Sequence, residues 1–283
     1  MHTPDGQRFK NLPFPLEGKL ALVAGARKGM GSAIALTFAE AGADVAVCDR
    51  VIEDGEMEAL AEEIQGMGQR SLALQTNLMN QDEVDNMVER IEGELGPIDI
   101  LADTVGGARG PSGSAPRPPA EGPHAPEGPH FLDFTEQDWN FIIDLNLKTC
   151  FLCCQAVAKR MVHRGAGNII TVSSEMGIRG PSTLPIYHVA KAGVIMLTKM
   201  MAYQLAPYKI RVNCIAPGAT AGTHLSTPWS SNPAVLETMK DRQPLREVAE
   251  SSDMASVALF LASDAARFIT GETILSDGGL MLT

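Results

Sequence analysis

What this chain has little of narrows its function before any motif is considered. Basic residues are outnumbered, 23 Lys and Arg against 34 Asp and Glu, and no basic cluster interrupts the net charge of −11. That balance opposes attachment to nucleic acid or to anionic membrane surfaces. No apolar run approaches the roughly 20 residues that span a bilayer. The opening stretch, MHTPDGQRFKNLPFPLEGK, lacks the continuous apolar core of a secretory signal. Cysteine is scarce, and five is an odd number in 283 residues, so a disulfide framework is not expected and a reduced cytoplasm fits.

What remains is the composition of a folded globular protein, 45% hydrophobic and 20% charged, long enough for a large core. Residues 1–17 read as an irregular arm, because Pro4, Pro13 and Pro15 block regular structure. From residue 18 to 283 the pattern is that of a single domain. Leu20 to Ala24 is a short apolar run suited to a strand buried on both faces. Gly25, Gly29 and Gly31 follow, then an apolar-periodic helix to about Ala41. Strand, glycine turn and helix N-terminus together make an anion site fit for a dinucleotide pyrophosphate.

The next apolar run ends in Asp49, 18 residues after Gly31, close to where an acid accepts hydrogen bonds from the adenosine ribose. A carboxylate there repels a 2′-phosphate and favours NAD over NADP. Lys28 and Arg50 argue for NADP. Beyond this point helices at about 55–67 and 81–95 alternate with strands at about 71–75 and 98–104. The alternation predicts an α/β fold, a Rossmann-like doubly wound parallel sheet with helices on both faces. Ligands of such sheets bind beyond the strands' carboxyl ends, where Gly25–Gly31, Asp49, Asn77, Gly106 and Ser174 would gather.

Residues 106–130, GGARGPSGSAPRPPAEGPHAPEGPH, cannot bury a core, so they form a long insert, either a lid over the site or a surface loop. The twice-repeated EGPH matches no common metal spacing, and no metal is expected. Residues 134–163 read as a long helix with Thr135 as N-cap, and Cys150, Cys153 and Cys154 as small buried hydrophobes on its packed face. A strand at 168–173 leads to Ser174. Tyr187 stands 13 residues after that serine, and Lys191 four further on, one helical turn away and on the same face. An ammonium beside a phenol favours its ionised form, so Tyr187 is expected to exchange a proton with an alcohol near neutral pH while Ser174 orients the reacting oxygen.

Together these motifs resemble the short-chain dehydrogenase/reductase family over about residues 16–279. AGARKGMG at 24–31 is similar to that family's TGxxxGxG, IAPG at 215–218 to the segment near the nicotinamide, and TGETILSDGG at 270–279 to its closing strand and turn. The resemblance implies an oxidoreductase interconverting a secondary alcohol and a ketone with NAD, or alternatively an NADPH-dependent ketone or 3-oxoacyl-type reductase; a non-catalytic nucleotide-binding sensor or scaffold is the reading from another class. It implies a catalytic tetrad of Asn146, Ser174, Tyr187 and Lys191, with Asn146 at a helix irregularity. Cofactor contacts are implied from Gly25, Arg27, Lys28, Gly29, Met30 and Gly31, from Asp49, Arg50, Asn77 and Leu78, and from Val105, Gly106, Pro217, Gly218 and Thr220, besides Tyr187 and Lys191. A homotetramer is implied too. The chain departs from the family at Ala24, which replaces a loop-tethering Thr, at Asp103-Thr104-Val105-Gly106 in place of NNAG, and at Asn77 in place of an Asp. By simple counting the family's Thr after Pro-Gly falls at Gly222, one residue before Thr223. Glu175, His188, His224 and Trp229 are the candidate substrate contacts.

Overall fold

The computed structural model describes residues 15–114, 130–180, 184–223 and 231–282. Seven strands form one sheet: β1 (Leu20–Ala24), β2 (Asp44–Asp49), β3 (Ser71–Gln75), β4 (Ile100–Asp103), β5 (Gly167–Val172), β6 (Ile210–Pro217) and β7 (Thr273–Ser276). Their order is β3-β2-β1-β4-β5-β6-β7, and every neighbouring pair is parallel. The chain steps outward from β1 to β3, returns to β4 and steps outward the other way. This switch opens a crevice beyond the carboxyl ends of β1 and β4.

Both faces of the sheet are covered, which is why its central strands read as unbroken apolar runs. Side chains of a strand alternate between faces. Leu20, Leu22 and Ala24 of β1 enter one core with α3 (Gln81–Glu94), α5 (Thr149–Arg164) and α6 (Pro185–Leu205). Ala21 and Val23 enter the other, with α1 (Met30–Glu40), α2 (Glu56–Gly66) and α8 (Ser251–Ala262). Polar at its start and continuously apolar from Val257 to Ala262, α8 lacks a clear helical stripe that would reveal it, and it packs on α1. The helix α7 (Pro233–Asp241) is capped by Asn232.

The long helix expected over 134–163 is interrupted. Thr135 and Asp138 form a reciprocal cap on α4 (Glu136–Ile143), a π turn occupies Asp144–Lys148, and α5 continues from there. Taken together, Glu136–Arg164 has the length and apolarity of a membrane span. Its apolar residues Cys153, Val157 and Met161 are instead committed to the core. The strand expected at 98–104 spans only Ile100–Asp103, and just beyond it the Thr104 hydroxyl bonds the start of the glycine loop. The question of lid or surface loop falls on residues 115–129, outside the described residues.

Candidate active site

The glycine loop joins β1 to the N-terminus of α1, whose free N–H groups face the crevice. A Cβ on Gly31 would stand 2.2 Å from the Gly25 carbonyl oxygen and 2.8 Å from Ala26 Cα, so only glycine lets the helix start this close to the strand. Ala24 offers the loop no hydroxyl, but Thr104 does: its Oγ1 donates to the Ala24 carbonyl at 2.7 Å and to that of Gly25 at 3.2 Å. The tether has changed sides, from the strand entering the loop to the strand beside it.

The crevice is a cavity of about 390 Å³ whose walls include Gly25, Arg27, Lys28, Met30 and Gly31, with Asp49, Arg50, Asn77 and Leu78 at one end. Val105, Gly106, Arg109, Phe141, Tyr187 and Lys191 line it too. A narrow glycine cradle on a helix N-terminus, with a carboxylate at the end of β2, fits the two phosphates and ribose of a dinucleotide. Asp49 accepts from the Val51 amide at 3.2 Å and lies 4.0 Å from Arg27 Nε. Arg27 Nη1 binds Asp54 at 2.6 Å, and Lys28 Nζ lies 3.2 Å from Glu56. Arg50 is exposed and in no ion pair among the described residues. Asn77 Oδ1 accepts from the Met79 amide, while its own amide is held by Glu83.

Of the tetrad, Tyr187 and Lys191 line the crevice, and Ser174 and Asn146 adjoin them. Ser174 follows β5, and its hydroxyl accepts from the Met176 amide and shares a hydrogen bond with Tyr187 on α6. Lys191, fully buried on the next turn, donates to the Val172 carbonyl at 3.0 Å and lies 5.7 Å from the Tyr187 ring centre. Asn146 sits in the π turn and makes three bonds: Nδ2 donates to the carbonyls of Ile142 and Gly107, and Oδ1 accepts from the Gly107 amide. A Cβ on Gly106 would come within 2.7 Å of both Asn146 Oδ1 and Lys191 Nζ, so this glycine lets the two side chains meet.

Charge at the tetrad departs from the expected phenol lowered by its lysine. Burial pushes Tyr187 well above the ordinary phenol range, against the Ser174 hydrogen bond, and Glu175 adds to the rise. Burial also pushes Lys191 down, while the negative charge of Asp103 pushes it back up. Asp103 is itself buried and raised by desolvation, against hydrogen bonds from the Cys150 thiol and the Val105 amide. An acid thus stands where the family places an amide. Asp103, Cys150 and Cys154 bring ligand-type atoms within 4.8 Å, yet the Cys154 hydrogen bond and burial hold Cys150 as a thiol.

Some expected contacts lie elsewhere. Thr220 turns inward, its hydroxyl donating to the Gly218 carbonyl, and Thr223 reaches the crevice in its place. Pro217 ends β6, and Gly218 backs onto Asp277, so neither lines the wall. Glu175 is buried against Arg179 at 3.4 Å, and His188 Nδ1 is 2.8 Å from the Arg179 carbonyl; neither lines the crevice, and for His188 the one-residue step from Tyr187 rotates its side chain to another face of α6. His224 and Trp229 lie outside the described residues. Sequence reasoning missed Thr104, Arg109 and Phe141. Arg109 stacks on Phe141 at 4.1 Å and pairs with the buried Asp138 at 3.1 Å, a contact between segments that no local pattern signals.

A family model described as Enoyl-(Acyl carrier protein) reductase matches residues 24–281. The chain is 35% identical over 264 residues to the 3-oxoacyl-[acyl-carrier-protein] reductase FabG of Staphylococcus epidermidis, covering 93% of this chain and 99% of that one. A short-chain type dehydrogenase/reductase from Mycobacterium marinum superposes with a TM-score of 0.81 at 33% identity, covering 95% of this chain and 98% of the other. A gluconate 5-dehydrogenase from Burkholderia cenocepacia J2315, in complex with NADP and tartrate, gives 0.83 at 30% identity over 95% and 98% of the two chains. With the parallel sheet and its glycine-lined crevice, these likenesses make the chain a member of the short-chain dehydrogenase/reductase family, an NAD(P)-dependent oxidoreductase.

Proposed function

We propose that this protein is an NAD-linked dehydrogenase of a secondary alcohol, with Tyr187 as the acid/base. The observation that carries the reading is that Tyr187, hydrogen-bonded to Ser174, and Lys191 beside Gly106 line the same crevice as Asp49. When bound, the nicotinamide accepts or supplies the hydride. The chain does the rest. Tyr187 takes the alcohol's proton, or returns it in the reverse direction. Ser174 orients the substrate oxygen through its hydroxyl. Lys191 brings its ammonium within 5.7 Å of the Tyr187 ring, and the charge of Asp103 helps keep that ammonium protonated in a buried site. Asn146 holds Gly107 and the π turn, and so fixes the wall on which Gly106 and Lys191 meet.

Four acids, Asp49, Glu53, Asp54 and Glu56, near three bases at the ribose end support NAD. A reducing compartment suits five free thiols, all buried. A homotetramer is supported by the exposed apolar side chains Met196, Met200 and Tyr203 along α6, which a neighbouring subunit would cover. The second reading, an NADP-linked 3-oxoacyl or polyol-acid enzyme, draws on the relatives' activities and on Arg27 and Lys28 in the glycine loop.

The test is oxidation of a panel of secondary alcohols, hydroxy acids included, followed by absorbance of the reduced nicotinamide. Tyr187→Phe should abolish turnover and leave NAD affinity, read by calorimetry, within about threefold, since the lost hydroxyl acts on substrate. Turnover surviving that change would sink the assignment.

A further inference from the structure

Both basic side chains of the glycine loop are already held by acids at the start of α2. Asp54 Oδ2 binds Arg27 Nη1 at 2.6 Å and lies 3.8 Å from Lys28 Nζ. Lys28 Nζ is 3.2 Å from Glu56 Oε1. Asp54 is fixed in turn, its Oδ1 accepting from the Glu56 amide at 3.3 Å, just before the left-handed Gly55 that opens the helix. Asp49 stands 4.0 Å from Arg27 Nε on the other side. The guanidinium is therefore bracketed by two carboxylates.

We infer that Asp54, with Glu56, is a specificity-determining clamp: it keeps Arg27 and Lys28 engaged in ion pairs at the edge of the crevice and so denies a 2′-phosphate the cations it needs. The inference rests on the NAD reading proposed above. Asp49 alone rejects the phosphate by repulsion and by occupying the ribose hydroxyls. The clamp acts differently, on the pull that two cations in the same loop would otherwise exert. A 2′-phosphate would have to displace Asp54 from Arg27 before it could use the guanidinium, exchanging one charge-assisted hydrogen bond for another. Each of these ion pairs is partly exposed and contributes little to stability by itself. Its effect lies in keeping the cation already paired.

The measurement is titration calorimetry of NAD and of NADP against the wild type, Asp54→Asn, and Asp54→Asn/Glu56→Gln. Asparagine retains the oxygen that accepts from the Glu56 amide, and thermal melts check that the variants are folded. The expected result is a rise in NADP affinity of about tenfold for Asp54→Asn, the scale of one recovered charge-assisted contact, and a larger rise for the double variant. NAD affinity should stay within about threefold, since NAD brings no phosphate to the released cations. The rise should shrink with added salt, as an exposed charge effect does. NADP affinity unchanged in both folded variants would overturn the clamp. The wild-type preference is a separate reading: a wild type that binds NADP more tightly than NAD defeats the NAD proposal, and the variants still decide whether Asp54 holds the cations back.

Discussion

Thr104 is where the chain departs from its family with a visible compensation, and changing it to valine measures that compensation. The substitution keeps the branched shape and removes only the hydroxyl that reaches the Ala24 carbonyl at 2.7 Å and the Gly25 carbonyl at 3.2 Å. The Ala24 oxygen retains the Thr104 amide at 3.0 Å, so one of its bonds survives. A neutral hydrogen bond contributes about 1 kcal/mol net, and under-satisfying a partly buried carbonyl costs somewhat more, for a total of about 1 to 2 kcal/mol. In a protein of this size that lowers the melting temperature by roughly 2 to 6 °C. Loosening the loop that cradles the pyrophosphate should also weaken NAD binding, by about two- to fivefold if half of that energy serves to hold the bound geometry. Differential scanning fluorimetry and calorimetry read the two effects, with Thr104→Ser as the control that keeps the hydroxyl. If Thr104→Val melted and bound NAD like the wild type, the hydroxyl would be a bystander and the changed-sides tether would be wrong.

Other consequences can be checked in the same way. Gly31→Ala drives a Cβ to 2.2 Å from the Gly25 carbonyl, a backbone clash that no rotamer relieves, so NAD binding should fall at least about tenfold, with overpacking costing on the order of 1 to 3 kcal/mol. Burial holds the Tyr187 phenol above its ordinary range, which makes its deprotonated form scarce at neutral pH; kcat/KM for alcohol oxidation should therefore climb toward alkaline pH, and a profile flat across that range would contradict Tyr187 as the base. Backbone hydrogen bonds from Thr135 and Ser112 hold the Asp138 carboxyl well below the usual range. With the folded value below the unfolded one, its contribution is present above about pH 4 and is lost as pH falls below that. Asp138→Asn should melt lower than the wild type at neutral pH, with a gap that narrows on acidification.

The fold was largely legible because its signals are local and repeated. Apolar runs such as Leu20–Ala24, separated by helices of ordinary length, leave few alternatives to a parallel sheet, and the strands fell within a residue or two of expectation. The helix over 251–262 escaped because its polar residues gather at its start and the unbroken apolar run Val257–Ala262 that follows shows no stripe to read. At the site, what depended on chain neighbours was readable: the glycine loop, Asp49, and the Tyr187–Lys191 turn. What depended on side-chain direction was not. Thr220 and Thr223 are three residues apart, and only the path of the turn decides which faces the crevice. Glu175 and His188 adjoin tetrad members in sequence but spend their polar atoms on Arg179. The Thr104 tether and the Asp54 clamp join residues 80 and 27 positions apart, and pairing at that range has no signature in a single chain.

All five cysteines are free and buried, distributed over β2, α5 and β6. Burial pushes the thiols of Cys48, Cys153 and Cys214 up, so in the native state they are both out of reach and in the unreactive protonated form. The molecule therefore carries its own clock for opening. An alkylating reagent pulsed onto the native protein should find no target until the sheet comes apart. Five labels arriving together would report global unfolding, whereas three arriving first, from α5, would mark that helix as the part of the fold that lets go before the rest.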